Sequence, residues 1–148
     1  MNCWFKNDNG VAGAGGYHIP FASQSGHFEI SVQTGGQLRT GVFVNGSRSV
    51  LTTVSKNVSD GNWHMLTMTY DGTSIKRYVD GEIVANSSTT IQGSLSGGNK
   101  LLTIGHYGTD GNYGNKNSYM SDVRLYATAL NDEDILKLYQ VGVAIDDS

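Results

Sequence analysis

Long apolar runs, clustered basic residues and paired cysteines are all missing from this 148-residue chain. A transmembrane helix needs about 20 consecutive apolar residues, so we expect no membrane span. The net charge is −3, and the ten basic residues are scattered along the chain. Nucleic-acid binders usually carry a basic patch or stripe, so we expect no nucleic-acid partner. The lone cysteine, Cys3, cannot form an intrachain disulfide, and we interpret it as a small apolar residue inside a strand.

Glycine is abundant instead, with 20 residues against a single proline. Asn-Gly, Asp-Gly and Gly-Gly pairs favour the tight turns that join antiparallel strands, and they occur at residues 35–36, 45–46, 60–61, 71–72, 80–81 and 97–98. Between these turns, apolar residues recur at every second position, which is typical of strands. The alternating segments are Phe28-Glu29-Ile30-Ser31-Val32, the series Leu38, Thr40, Val42 and Val44, the series Leu66, Met68 and Tyr70, and the pairs Leu102 with Ile104 and Val123 with Leu125. The sequence therefore predicts an all-β fold, an antiparallel two-sheet sandwich.

One short C-terminal helix is predicted to follow the strands. Asn131 is suited to cap its N-terminus, acidic residues fill the first turn, and Ile135, Leu138 and Tyr139 form an apolar stripe. We expect this stripe to cover the sandwich. Residues 141–148 are predicted to be a frayed tail or a domain boundary.

Three ordered motifs resemble the laminin G-like, concanavalin A-like jelly-roll family. They are a Trp-His strand ending in Tyr-Asp-Gly (Asn62 to Gly72), a Tyr-Val-Asp-Gly hairpin (Tyr78 to Gly81), and a closing Asp-Val-Arg-Leu-Tyr strand with a capped helix (Asp122 to Tyr139). The resemblance implies a jelly-roll domain over residues 1–140. The closing run, residues 121–130, also resembles domains of phage tail and virion proteins and of bacterial surface proteins.

The sequence departs from that family in three places. Family members usually have one or two strands before the segment that starts at Cys3, which indicates an excised domain or a trimmed variant whose exposed sheet edge invites self-association. Asp134 stands where the family usually has the glutamate of a capping box. Arg77 stands where the family has an aliphatic residue, and it is either an edge-strand side chain that reaches solvent or a ligand-facing residue.

Catalysis is not predicted. Glycanases of this fold carry Glu-x-Asp-x-x-Glu on one strand, and retaining hydrolysis needs two carboxylates about 5–5.5 Å apart; here Glu29 stands alone, and Asp80 and Glu82 flank a turn. No nucleophile elbow or metal-binding histidine spacing is present. His64 is in phase with Leu66 and Met68, which favours a structural imidazole, and Trp63 on the opposite face is interpreted as packing in preference to a sugar platform.

A ligand site is predicted in the aromatic and polar segment from His106 to Tyr119, because sugars pack on aromatic rings and bond to planar polar groups. A connector without a ligand is the alternative. The candidate binding residues are Tyr107, Asp110, Asn112, Tyr113, Asn115 and Tyr119, with Arg77 and the Tyr17-His18 pair. No cofactor is required, but Ca²⁺ is common among laminin G-like domains, and Asp110 with Asn112 are its weak candidates.

Taken with the resemblance, these features predict a non-catalytic, lectin-like adhesion module of a larger phage structural or bacterial surface protein. Its partners would be a cell-surface glycan or polysaccharide and other domains of the parent protein, and its location extracellular or on a virion. A structural or protein-interaction domain is the alternative, and a glycoside hydrolase is third.

Overall fold

The computed structural model describes residues 1–8, 17–23, 28–33, 35–88, 92–95, 102–107, 113–114 and 117–146. Its strands and helix are β1 (Asn2–Asn7), β2 (Tyr17–Ser23), β3 (Phe28–Gln33), β4 (Gln37–Val44), β5 (Ser47–Asn57), β6 (Trp63–Tyr70), β7 (Ser74–Val79), β8 (Glu82–Ser88), β9 (Leu102–Ile104), β10 (His106–Tyr107), β11 (Tyr113–Gly114), β12 (Ser118–Arg124) and α1 (Asp132–Asp146). The predicted fold class is confirmed: the strands form two antiparallel five-stranded sheets, and one helix follows them.

The first sheet has the order β12-β1-β6-β7-β8, and the second has the order β5-β4-β3-β2-β9. A separate hairpin pairs β10 with β11. Two of the predicted tight turns have the positive φ angles that type I′ turns require. Asn45 and Gly46 have φ of 51° and 75°, and Asp80 and Gly81 have φ of 56° and 81°.

The main core lies between the sheets, where the alternating side chains meet. The series on β4 is buried as predicted, and so is Cys3, which is fully enclosed inside β1. The pair Leu102 and Ile104 behaves differently, because these side chains are 48% and 49% exposed. Their strand β9 is a three-residue edge strand, so its apolar face is only partly covered by the described part of the chain.

Arg77 lies on β7 between β6 and β8, so the edge-strand interpretation is wrong. Its neighbours in phase, Ile75 and Val79, belong to the core between the sheets, and Arg77 itself is only 3% exposed. Burial disfavours a charged group, and it lowers the pKa of the Arg77 guanidinium from its usual value. Arg77 is therefore an inner-face residue, enclosed within the sandwich.

The helix packs on the outer face of the first sheet. Its N-cap is confirmed, since the backbone N–H of Asp134 donates to Oδ1 of Asn131 at 2.8 Å. Ile135 is buried in a second cluster with Met65 of β6 and Tyr78 of β7. The helix continues through Asp146, so residues 141–146 are helical and not frayed. The alternative, a domain boundary at residues 141–148, stays a prediction.

The continuation of α1 has a packing cause. Gly142 lies so close to the ring of Trp4 that a Cβ there would come within 2.8 Å of Cε2. One turn earlier, Tyr139 stacks on the same ring with centroids 5.7 Å apart. Contact with Trp4 thus stabilises a helical end that its own sequence does not favour. No helix in the described residues is long and apolar enough to cross a membrane.

Candidate functional site

The loop before β6 is fixed by hydrogen bonds. Oδ1 of Asp60 accepts from the backbone N–H of Asn62 at 2.9 Å and lies 3.0 Å from Nε2 of His64. Gly61, with φ of 85°, donates its N–H to the carbonyl of Asn7 at 3.0 Å. These bonds hold the start of β6, which begins at Trp63, in a defined position against β1.

His64 links this loop to the turn between β7 and β8. Its Nδ1 lies 2.8 Å from Oδ2 of Asp80, which also accepts from Nζ of Lys56 at 3.0 Å. Oδ1 of Asp80 accepts from the backbone N–H of Met65 at 3.0 Å. Because Lys56 belongs to β5, the cluster ties the two sheets together. The predicted structural role of His64 is confirmed, since the residue is 8% exposed and its ring is hydrogen-bonded on both nitrogens.

Two carboxylates around one imidazole favour its charged form. The hydrogen bond to Asp80 raises the pKa of His64 above its usual 6.5, against the effect of burial and with help from Asp60. Burial opposes ionisation of Asp80, but the hydrogen bonds from His64, Lys56 and Met65 outweigh it and lower the pKa of Asp80 below 3.8. Both ring nitrogens of the imidazolium then donate.

On the outer face of the same sheet, three side chains form a row across three strands. Lys6 of β1 is the register partner of Trp63 on β6 and of Tyr119 on β12. Trp63 is 37% exposed and Tyr119 is 54% exposed. Nζ of Lys6 lies 6.0 Å from the centroid of the Tyr119 ring, within the range of a cation–π contact.

This row borders a groove of about 810 Å³ between the first sheet and the C-terminal half of α1. We call it the outer groove. It is lined by Trp4, Lys6, Gly61, Asn62, Trp63, Ser121, Asp122, Arg124, Tyr139, Gly142 and Val143. Tyr119 adjoins it through its cross-strand contact with Lys6. Aromatic rings beside amide, hydroxyl and charged groups are the chemistry that sugar recognition uses.

The charged side chains of the outer groove differ in how firmly they are held. Arg124 binds Asp122 through two bonds, from Nε at 2.7 Å and from Nη2 at 2.6 Å. This pairing raises the pKa of Arg124. Lys6 is held loosely, with Nζ 3.8 Å from Oδ1 of Asp8. Lys6 is therefore the cation that can reorient toward a ligand.

The groove offers little for hydrolysis. Among its described lining residues, Asp122 is the only carboxylate, and Arg124 occupies it. On the second sheet, Glu29 is buried and pairs with Nη1 of Arg39 at 2.7 Å. Across the described residues, no group of three or more histidine, cysteine, aspartate or glutamate side chains could hold a metal ion.

The sandwich, the Trp-His motif of β6 and the capped helix are all features expected of one family. The family model for laminin G-like domains, described as the concanavalin A-like lectin/glucanases superfamily, matches residues 1–136. The chain belongs to this superfamily. The predicted resemblance is thereby confirmed, and this laminin G-like domain can be compared with solved structures. A search of the curated proteins found no match.

Several solved structures similar to this laminin G-like domain are binding domains of clostridial toxins. The binding domain of Paraclostridial Mosquitocidal Protein 1 has a TM-score of 0.73 at 15% identity, covering 95% of this chain and 36% of that one. The binding domain of botulinum neurotoxin DC in complex with SialylT has a TM-score of 0.69 at 18% identity, covering 95% and 34%. A structure of botulinum neurotoxin type C, whose cell entry depends on two ganglioside molecules, has a TM-score of 0.66 at 14% identity, covering 95% and 34%. The likeness shows a shared fold, and the chain spans about a third of the length of these relatives.

The sequence-predicted binding residues fall in separate places. Tyr107 and Tyr113 are register partners in the β10–β11 hairpin, which lies against β2, the strand of Tyr17 and His18. Tyr119 belongs to β12 and adjoins the outer groove. Arg77 is enclosed between the sheets, as described above. Asp110, Asn112 and Asn115 lie outside the described residues. Asp110 and Asn112 are the two Ca²⁺ candidates.

The segment from His106 to Tyr119, in which the sequence predicts a single ligand site, contains β10, β11 and the start of β12. Sequence reasoning also missed Lys6 and Arg124, and it interpreted Trp63 as packing. A usable signal was present for Trp63, since the residue beside a buried His64 in a strand points to the opposite face. No local signal pairs Lys6 with Trp63, because 57 positions separate them and only the β1–β6 register brings them together.

Proposed function

We propose that this laminin G-like domain is a non-catalytic, lectin-like module that binds a saccharide in the outer groove. The observation that carries the proposal is the cross-strand row of Trp63, Lys6 and Tyr119, which presents two partly exposed rings beside a cation. Sugar C–H faces pack on aromatic rings, and sugar hydroxyls bond to groups such as the Asn62 amide and the Ser121 hydroxyl at the groove walls.

The groove chemistry supports binding without cleavage. Glycoside hydrolysis uses a pair of carboxylates on either side of the scissile bond. Asp122 in the groove is neutralised by two hydrogen bonds from Arg124, and Glu29 on the second sheet is buried against Arg39. Neither carboxylate has a second acid beside it among the described lining residues. The superfamily includes glucanases by name, so the absence of activity is part of the proposal.

The ligand site that the sequence predicts in the segment from His106 to Tyr119, here called the rim site, is kept as a second binding surface within this proposal. It comprises Tyr107 and Tyr113 on the hairpin with Tyr17 and His18 on the neighbouring β2, together with Asp110, Asn112 and Asn115. Support comes from the register that pairs the two tyrosines and from the contact of their hairpin with β2. Binding of Ca²⁺ at Asp110 and Asn112 remains part of this second surface.

We further propose that the domain works outside the cell, as part of a larger phage structural or bacterial surface protein. The support is that similar folds are found in the binding domains of toxins, of which this chain spans about a third. Linking several copies of such a site in one assembly raises the avidity without new contacts. Pairing of exposed sheet edges is one route by which copies could associate.

A glycan array on the domain tests the proposed function. Wild-type protein is expected to bind one class of saccharide, and Trp63→Ala is expected to weaken that binding about tenfold by removing a stacking ring. Leu136→Ala is the matched control, because Leu136 is an exposed apolar residue that does not line the groove. Release of reducing ends from a bound polysaccharide would contradict the non-catalytic part.

Variants at the hairpin separate the two surfaces. If Tyr113→Ala and Asn112→Ala abolish binding while Trp63→Ala leaves it unchanged, glycan recognition stands but belongs to the rim. A silent array contradicts both sites.

A protein-interaction module is the second candidate, and an apolar surface on α1 favours it. Val141 and Leu136 are 57% and 41% exposed, and Val141 lines a cleft of about 290 Å³ with Leu130 and Leu138. A stable stoichiometric complex that Val141→Asp disrupts, together with a silent array, would support this alternative.

A further inference from the structure

We infer that the saccharide held in the outer groove is anionic, with its negative group at Lys6 and the adjoining sugar ring on Trp63 or Tyr119. This inference rests on the proposed function and adds the chemical class of the ligand.

Lys6 occupies the middle of the cross-strand row. The register of β1 with its two neighbours places Trp63 on one side of it and Tyr119 on the other. A pyranose ring that packs on either aromatic therefore has its substituents beside the ammonium group. A negative substituent at that point gains a charge-assisted hydrogen bond, which is stronger than a bond between neutral groups.

The present contacts of Lys6 are weak ones. Its Nζ lies 3.8 Å from a carboxylate oxygen of Asp8, whose side chain is 47% exposed. The Tyr119 ring lies at 6.0 Å, the outer limit of a cation–π contact. Exchanging these partners for a ligand anion costs little, because an exposed ion pair at such a distance contributes little to stability.

The other charges of the groove do not compete for an anion. Arg124 already uses two donor atoms on Asp122, at 2.6 and 2.7 Å. Val143, which also lines the groove, belongs to the last turn of α1, and that turn carries no basic side chain. Lys6 is therefore the cation of the groove lining that is left to bind a ligand anion.

Binding measurements on matched glycans test the inference. The probes are oligogalacturonate with its methyl ester, 3′-sialyllactose with lactose, and pentamannose phosphate with pentamannose, each titrated into the intact domain by calorimetry. We expect at least one anionic member to bind about tenfold tighter than its neutral partner, and we expect that preference to shrink as salt is raised. The carboxylate and phosphate pairs show which anion the site accepts, since a lysine ammonium does not discriminate by shape.

Charge variants identify Lys6 as the source of the preference. Lys6→Gln is expected to weaken binding of the anionic glycan five- to tenfold and to weaken binding of the neutral partner much less, whereas Lys6→Arg retains the preference. The matched control is Lys137→Gln, which removes the same charge from a salt bridge to Glu133 on α1, outside the groove lining.

The outcomes separate the inference from the function on which it rests. Equal binding of neutral and anionic partners, with loss of binding in Trp63→Ala, would overturn the anionic inference and leave the lectin function intact. No binding to any probe, charged or neutral, would contradict both. A preference that survives Lys6→Gln unchanged would assign the anion to another group and overturn the role of Lys6.

Discussion

Nδ1 of His64 lies 2.8 Å from Oδ2 of Asp80, and this contact joins the loop that positions Trp63 to the β7–β8 turn. The same carboxylate accepts from Lys56 of the second sheet and from the backbone of Met65. Asp80 thus connects β6, the β7–β8 turn and β5 of the second sheet. Through His64 this cluster also helps to hold Trp63, which lines the outer groove.

Asp80→Asn is expected to lower the free energy of unfolding by about 2–3 kcal/mol, because charge-assisted bonds to His64 and Lys56 are lost together. Urea unfolding followed by circular dichroism measures the change. Glu133→Gln is the control, since its exposed i,i+4 pair with Lys137 contributes less than about 0.5 kcal/mol. Equal effects of the two substitutions would contradict the central position of Asp80.

The stability of the domain should depend on pH through His64. Its pKa is raised above 6.5 in the folded state, so the stabilisation is fully present below pH 6.5 and is lost as the pH rises through the folded-state value. The pKa of Asp80 is lowered below 3.8, so its contribution is present above pH 3.8 and is lost as the pH falls further.

The measurement is the difference in unfolding free energy between wild type and His64→Gln, because other titrating groups contribute to both proteins alike. That difference should be largest between about pH 4 and 6.5 and should shrink toward pH 8. A difference that stays constant from pH 5 to pH 8 would show that folding does not raise the pKa of His64.

Gly142→Ala tests the contact between α1 and Trp4. In an exposed helix, replacing glycine by alanine stabilises by about 1 kcal/mol. Here the added Cβ would lie 2.8 Å from Cε2 of Trp4, so the substitution should instead destabilise by about 1–3 kcal/mol. Thermal unfolding and tryptophan fluorescence would report it, and a stabilised variant would contradict the close packing.

The sheets could be predicted from sequence wherever an inner face alternates cleanly, as it does from Leu38 to Val44. The edge-strand interpretation of Arg77 is wrong and the exposure of Leu102 was not predicted, because the phase of the apolar residues does not show whether a strand is central or at an edge. Helix length was underestimated because Gly142 and the β-branched Val141 and Val143 are poor helix formers, and the contact with Trp4 overrides that preference.

The candidate site was harder to predict for a similar reason. His64 was assigned correctly from its own strand, since neighbours two positions away define its face. The outer groove joins Lys6, Trp63, Asp122 and α1, which only the sheet order and the register of β1 bring together. The residues of the outer groove share no local sequence motif. The segment around Tyr113, by contrast, has an aromatic and polar composition that is visible in the sequence itself.

Backbone amide chemical shifts, recorded by NMR while a glycan selected on the array is titrated in, test the central claim most directly. If the outer groove holds the saccharide, the largest changes will fall on Lys6, Asn62, Trp63 and Tyr119, and the same titration of Trp63→Ala will show small changes at these positions. Changes confined to the β10–β11 hairpin and β2 would contradict the outer groove as the binding site.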